Sequence, residues 1–159
     1  MYRNMQPDLK IKTFFHDLNS ICSELTIESD ISNVLSKLME MLADFLDTDQ
    51  GSFYLVLDRK ITSISSVGEN PRIEIEISSE DEKRLVATNF ALEEEDLAFY
   101  PSLSILTSKA LGIKLLSAIN YSNNLFGFIT LGPKYNKAPY NESDKLILAL
   151  ITNFVARII

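Results

Sequence analysis

The spacing of apolar residues constrains this chain more than any other feature, because it switches between helical and strand periods several times along the sequence. Phe14, Leu18, Ile21, Cys22 and Leu25 recur at three- and four-residue steps, which predicts an amphipathic helix over Leu9 to Leu25. Thr26 to Asp30 is polar and offers Ser29 or Asp30 as an N-cap; Ile31, Val34, Leu35, Leu38, Leu42, Phe45 and Leu46 then repeat the helical spacing. From Gly51 the run Ser-Phe-Tyr-Leu-Val-Leu reaches Asp58-Arg59-Lys60 and resumes over Ile61 to Val67, the pattern of a β-hairpin. Gly68 to Pro71 interrupts it, and Ile73, Ile75 and Ile77 alternate with Glu74 and Glu76 as in a strand with one wet face at a sheet edge.

The second half is read in the same way. Ser79 to Asn89 predicts a short helix with early acids, and Leu97 to Leu111 a second one with Pro101 in its first turn. Ile113 to Tyr121 and Leu125 to Gly132 read as strands about Ser122-Asn123-Asn124, residue types that tolerate the positive φ of tight turns. Asn141 can cap a last helix, about 141–159, whose Leu146, Ile147, Leu150, Ile151, Phe154, Val155 and Ile158 line one side. The predicted order is therefore α-α-β-β-β-α-α-β-β-α. That helix reaches Arg157-Ile158-Ile159 with no glycine, asparagine or proline stop, so its stripe is expected to be continued by more chain or covered by a partner.

Size and charge exclude several classes. A chain of 159 residues, 46% hydrophobic, can bury one α/β core, so residues 1–159 are expected to form a single domain. The net charge of -7 repels phosphate backbones and anionic lipid, so neither nucleic acid nor a membrane is expected as a partner. Met1 to Lys12 lacks the apolar stretch of a secretion signal, and a single cysteine cannot form an internal disulfide. The expected location is the cytoplasm.

Catalytic constellations are missing from the sequence. His16 is the only histidine and has no second histidine with which to hold a metal or orient a base, so it reads as a surface residue. Cys22 belongs to the apolar stripe of the first helix and reads as a small core residue. The glycines form no phosphate-cradling loop. Glu93-Glu94-Glu95-Asp96 lacks the alternating oxygen spacing of a cation loop and reads as a solvated loop or first helical turn, while Ser79-Glu80-Asp81-Glu82 reads as helix initiation. No metal is expected.

Two segments carry a family resemblance. Leu125-Phe-Gly-Phe-Ile-Thr-Leu-Gly-Pro-Lys134, a polar loop, and Pro139-Tyr-Asn-Glu-Ser-Asp144 leading into an apolar helix resemble the C-terminal half of GAF domains. Leu46-Asp-Thr-Asp-Gln-Gly-Ser-Phe-Tyr-Leu-Val-Leu-Asp58 is similar to the helix-to-first-strand passage of the same family, so the resemblance runs from about Leu18 to Ile159. In nucleotide-binding members the signature is an Asn-Lys pair, a later Phe and then Asp-Glu. Here those positions read Pro133-Lys134, Tyr140 and Asp144-Lys145, which keep the lysine, an aromatic and the aspartate and lack the asparagine and the final acid. A lysine at a strand exit and an aspartate at a helix start can pair, with the Tyr140 ring packed over the joint, as a clasp that fixes the loop between them.

The resemblance implies an α+β, profilin-like fold: an antiparallel sheet of five to six strands, with the N- and C-terminal helices on one face and short helices or loops over the other. It also implies a small-molecule pocket under the middle segment, for a ligand such as cyclic AMP or cyclic GMP. By position, Ser52, Tyr54, Ser117 and Asn120 from the strands and Thr88, Phe90, Tyr100 and Thr107 from the cover would supply hydroxyls, an amide and stacking rings. GAF variants that resemble free methionine sulfoxide reductases use several cysteines, and those that resemble phytochromes attach a bilin through a cysteine elsewhere in the domain. Neither pattern is present. Three classes remain: a ligand-sensing module, whose terminal helices pair in a homodimer and drive an output domain such as a diguanylate cyclase, a histidine kinase or a transcriptional activator; a ligand-free homodimerisation module; and, last, a stand-alone enzyme.

Overall fold

Side-chain direction alternates along a strand, so one sheet can feed two separate cores. The computed structural model describes residues 2–25, 31–68, 74–108 and 111–158. Ser29, Asp30 and Ile73, and the side chain of Cys22, lie outside the described part. The elements run α1 (Pro7–Leu25), α2 (Ile31–Phe45), β1 (Gly51–Leu57), β2 (Lys60–Val67), β3 (Ile75–Glu76), α3 (Ser79–Val86), β4 (Leu92–Glu93), α4 (Glu94–Leu97), a 3₁₀ segment (Pro101–Thr107), β5 (Leu115–Tyr121), β6 (Asn124–Leu131) and α5 (Glu142–Ile158). The strands form a six-stranded sheet in the order β3-β2-β1-β6-β5-β4. Every pairing is antiparallel.

Two-residue turns set the registers. Leu57 faces Lys60 across Asp58-Arg59, and Tyr121 faces Asn124 across Ser122-Asn123. All four turn residues have positive φ, between 50° and 63°, the left-handed geometry that matches strand twist in a tight hairpin. On one face Phe53, Leu115, Ile119, Ile129 and Leu131 pack against Phe14 and Leu18 of α1, Leu38 and Leu42 of α2, and Leu148, Ile151 and Val155 of α5. On the other, Tyr54, Val56, Ile61, Leu116, Ala118, Leu125 and Phe128 meet Leu85, Leu92, Leu97, Leu103 and Leu106 from the middle segment. Full burial of one such leucine or phenylalanine contributes about 1.5–3 kcal/mol, so both layers are needed to hold the sheet. The terminal helices therefore share one face and the middle segment covers the other.

The departures lie mostly in the middle segment. Of the strand expected at Ile73, Ile75 and Ile77, the described residues form Ile75–Glu76 on the sheet edge; Ile77 is fully buried, and its N–H donates to the Arg59 carbonyl at 2.8 Å. The expected helix from Ser79 to Asn89 stops at Val86, and the Thr88 hydroxyl donates to the Arg84 carbonyl at 2.8 Å. Its cap is Ser78, whose Oγ accepts from the Asp81 N–H at 3.1 Å. A helix over Leu97 to Leu111 does not form. Pro101 has no N–H to continue the turn that begins at Glu94, and the chain restarts as the 3₁₀ segment with proline in its first turn. β4 is an addition, held by Leu92 opposite Leu116 and Glu93 opposite Leu115.

α5 also rests on a narrower stripe than the periodicity suggests. Leu148, Ile151 and Val155 are buried, whereas Leu146 and Leu150 are 61% and 47% exposed. Asn141 does cap the helix: its Oδ1 accepts from the Asp144 N–H at 2.8 Å while Asp144 Oδ2 accepts from the Asn141 N–H at 3.0 Å, a reciprocal box.

Candidate functional site

The cover over the second sheet face is built by cross-links between its own short elements. Asp81 is buried on α3, and its Oδ2 accepts from the Ser102 N–H at 2.9 Å and the Ser102 hydroxyl at 2.5 Å. Its Oδ1 lies 3.3 Å from Arg84 Nη2. The Arg84 guanidinium also donates to the Phe99 carbonyl and sits 5.4 Å above the Tyr100 ring. The hydrogen bonds of these two α3 side chains thus tie α3 to the start of the 3₁₀ segment.

The side chains expected to line a pocket are engaged within this framework. Asn120 Nδ2 donates to the carbonyls of Leu85 at 2.7 Å and Thr88 at 3.0 Å, satisfying the end of α3 from the sheet. Thr88 Oγ1 lies 3.4 Å from the Tyr100 hydroxyl. Ser52 Oγ is 3.1 Å from Ser66 Oγ, and Tyr54, its hydroxyl held above the usual phenol range by burial, packs its ring 5.0 Å from that of Phe128. Thr107 Oγ1 donates to the Ser104 carbonyl at 3.0 Å, and Phe90 is 59% exposed.

Ser117 requires a correction. It projects to the opposite face, where its hydroxyl meets Thr152 of α5 at 2.8 Å, so it cannot share a pocket with Tyr54 or Asn120. The structure brings Thr88, Tyr100 and Asn120 together but not the set of eight. The hollow expected under the middle segment is filled by Leu85, Leu92, Leu97, Leu103 and Leu106, because that segment carries enough leucines to close onto the sheet.

Open space lies instead at the flank of the cover. A cleft of about 570 Å³ is bordered by Glu94, Glu95 and Lys114 on one side and Lys137, Pro139 and Tyr140 on the other. A second, of about 410 Å³, lies between Phe90 and Ala91 and the first turns of α5 at Leu146 and Ala149; Glu93 borders both. Lys145 lines the second, with its Nζ 2.9 Å from Glu93 and 3.2 Å from Glu142, and the Glu93 hydrogen bond holds its pKa above the usual lysine value. Lys114 Nζ is 2.6 Å from Glu94.

Next to the larger cleft, Lys134 Nζ is 2.7 Å from Asp144 Oδ2 and 5.3 Å from the centroid of the Tyr140 ring. The Tyr140 hydroxyl donates to the Gly132 carbonyl at 2.5 Å, and burial raises its pKa. These three side chains join the exit of β6 to the start of α5. His16 is exposed on α1, and among the described residues no group of three or more His, Cys, Asp or Glu is placed to hold a metal. Among the same residues no helix is long and apolar enough to cross a membrane.

No family profile matches the chain, and no curated protein sequence does. Solved structures do. The GAF domain of a phosphoenolpyruvate-protein phosphotransferase from Coxiella burnetii superposes with a TM-score of 0.64 at 14% identity, covering 91% of this chain and 90% of that one. The chain has the fold of a GAF domain. A methyl-accepting chemotaxis protein fragment, residues 122 to 287, gives 0.66 at 14% identity over 87% of this GAF-like chain and 93% of its own. A type II free methionine-R-sulfoxide reductase from Thermoplasma acidophilum gives 0.60 at 19% identity over 80% and 90%. At such identities the shared property is the fold alone.

Proposed function

We propose that this GAF-like chain is a regulatory domain of a signalling protein, in which the cover side responds to a small molecule and α5 carries the response. The observation that carries this reading is that α5 is tied to both of the other layers. Lys145 reaches Glu93 on the cover strand at 2.9 Å, and Thr152 reaches Ser117 on the sheet at 2.8 Å. A ligand that displaced the cover would therefore strain contacts on α5, and coupling energies of about 1–3 kcal/mol are enough to bias an attached domain. A chemotaxis protein and a phosphotransferase GAF domain among the structural neighbours support a signalling role, and the sulfoxide reductase neighbour keeps the enzyme class in view.

The ligand proposed is a cyclic nucleotide, cyclic AMP or cyclic GMP. The outputs proposed are a diguanylate cyclase, a histidine kinase or a transcriptional activator, reached through terminal helices paired in a homodimer in the cytoplasm. Entry beneath the cover requires Asp81 to release Ser102, since the space is filled while they remain joined. Thermal denaturation with cyclic AMP, cyclic GMP and a panel of small metabolites tests this. A ligand at about 100 times its Kd adds roughly 2.7 kcal/mol to folding stability, and no shift with any compound rejects the sensing reading.

A second reading has its own support. The filled cover face, together with Leu9, Ile11 and Phe15 exposed on α1, suits a ligand-free homodimerisation module. Concentration-dependent dimerisation in sedimentation, without any ligand-induced stabilisation, would select it.

A further inference from the structure

The 410 Å³ cleft beside α5 has features that small-molecule sensing does not use. Its two walls carry large apolar side chains that the fold leaves in water: Phe90 is 59% exposed and Leu146 61%. Leu150, 47% exposed, lies one turn further along the same face of α5, so the apolar row has the i, i+4 spacing against which a helix can pack. A phenylalanine and a leucine left in water on the two walls of one cleft, with a second leucine a turn away, are a docking surface rather than scattered surface residues.

Charge decides the occupant. The rim contains Glu93, Asp96 and Glu142 against the single lysine, Lys145, and that lysine is held by two of those acids at 2.9 and 3.2 Å. The rim is therefore acidic, in a chain of net charge -7. A second copy docked about a two-fold axis would bring the same acids to both sides of one interface, which disfavours self-association there. The geometry points to a basic amphipathic helix of a partner protein, with large apolar anchors between Phe90 and Leu146 and lysine or arginine beside Glu142 and Asp96.

A fluorescently labelled Leu/Lys amphipathic peptide tests this against a peptide of the same composition in scrambled order. Anisotropy titration of the whole chain is expected to give tighter binding for the amphipathic peptide, weakening as salt is raised. Amide shifts are expected to fall on residues 89–96 and 142–150. L146Q and F90S alter exposed side chains and leave the fold intact, and each is expected to weaken binding about tenfold, or 1.4 kcal/mol. Equal binding of the scrambled peptide, shifts on another face, or unchanged affinity of L146Q would overturn the assignment. Loss of a homodimer in L146Q, seen by sedimentation, would overturn it in favour of a second copy. None of these outcomes depends on the nucleotide screen.

Discussion

Lys134 and Asp144 meet at 2.7 Å with side chains only 11% and 15% exposed, and the same Asp144 oxygen accepts from the Asn141 N–H at 3.0 Å. One carboxylate thus closes the β6 exit and caps α5. In a double-mutant cycle of K134M and D144N followed by urea denaturation, the pair is expected to couple by about 1 kcal/mol, above most exposed ion pairs. D144A, which also removes the acceptor of the Asn141 N–H, should cost more than K134M, by about 1 kcal/mol.

Asp81 bridges two elements that have no sequence contact. Replacing it with alanine leaves the Ser102 N–H without its carboxylate acceptor, and the expected cost is about 3 kcal/mol. Hydrogen exchange separates this from general weakening: amides of α3 and of Pro101–Thr107 should exchange faster in D81A than those of β1 and β6.

Gly127 lies on β6 opposite Leu55 of the paired strand β1. A Cβ there would come 2.0 Å from the Tyr54 carbonyl oxygen, which is backbone and cannot yield, so G127A should lose more than about 3 kcal/mol or fail to fold. G112A is the counterpart. Nothing lies within 4 Å of its added carbon, and only the φ of +57° is penalised, at about 1–2 kcal/mol. Denaturation midpoints of the two variants check the contrast.

Tyr54 and Tyr140 are buried with phenol pKa values raised above the ordinary 10.0. A raised folded-state pKa means that the unfolded chain loses its proton first, so the contribution is complete below pH 10.0 and falls as pH rises beyond it. Stability should therefore drop steeply above about pH 10. Tyrosinate absorbance of these residues should appear together with unfolding, and Y140F should flatten part of the slope.

α1, α2, α5 and both hairpins were legible because their signals are local: repeated three- and four-residue spacing, and turn residues such as Asp58 and Asn123 that tolerate positive φ. β4 was not, since two residues have no period. The direction of Ser117 was not readable either. Both faces of β5 are buried, with Leu115 and Leu116 each 0% exposed, so alternation carries no record of which face is which. Leu146 and Leu150 were read into one stripe with Ile151 and Val155 for a related reason: apolar residues surround much of that helix, and only packing reveals that Leu148, Ile151 and Val155 touch the sheet. The residue types of the candidate site were visible, but their engagement by Ser66, Thr152 and the Leu85 carbonyl depends on contacts distant in sequence.

The three attachments of α5, at Asp144, Lys145 and Thr152, fall at different heights and reach three different neighbours: Lys134, Glu93 and Ser117. An axial slip of one residue, about 1.5 Å, would disturb all three bonds together. A tilt that pivots at Asp144 would instead pull Thr152 from Ser117 and lift Ile151 and Val155 off the sheet. The last helix is thus riveted along its length, and sliding and tilting alike break bonds on the sheet side.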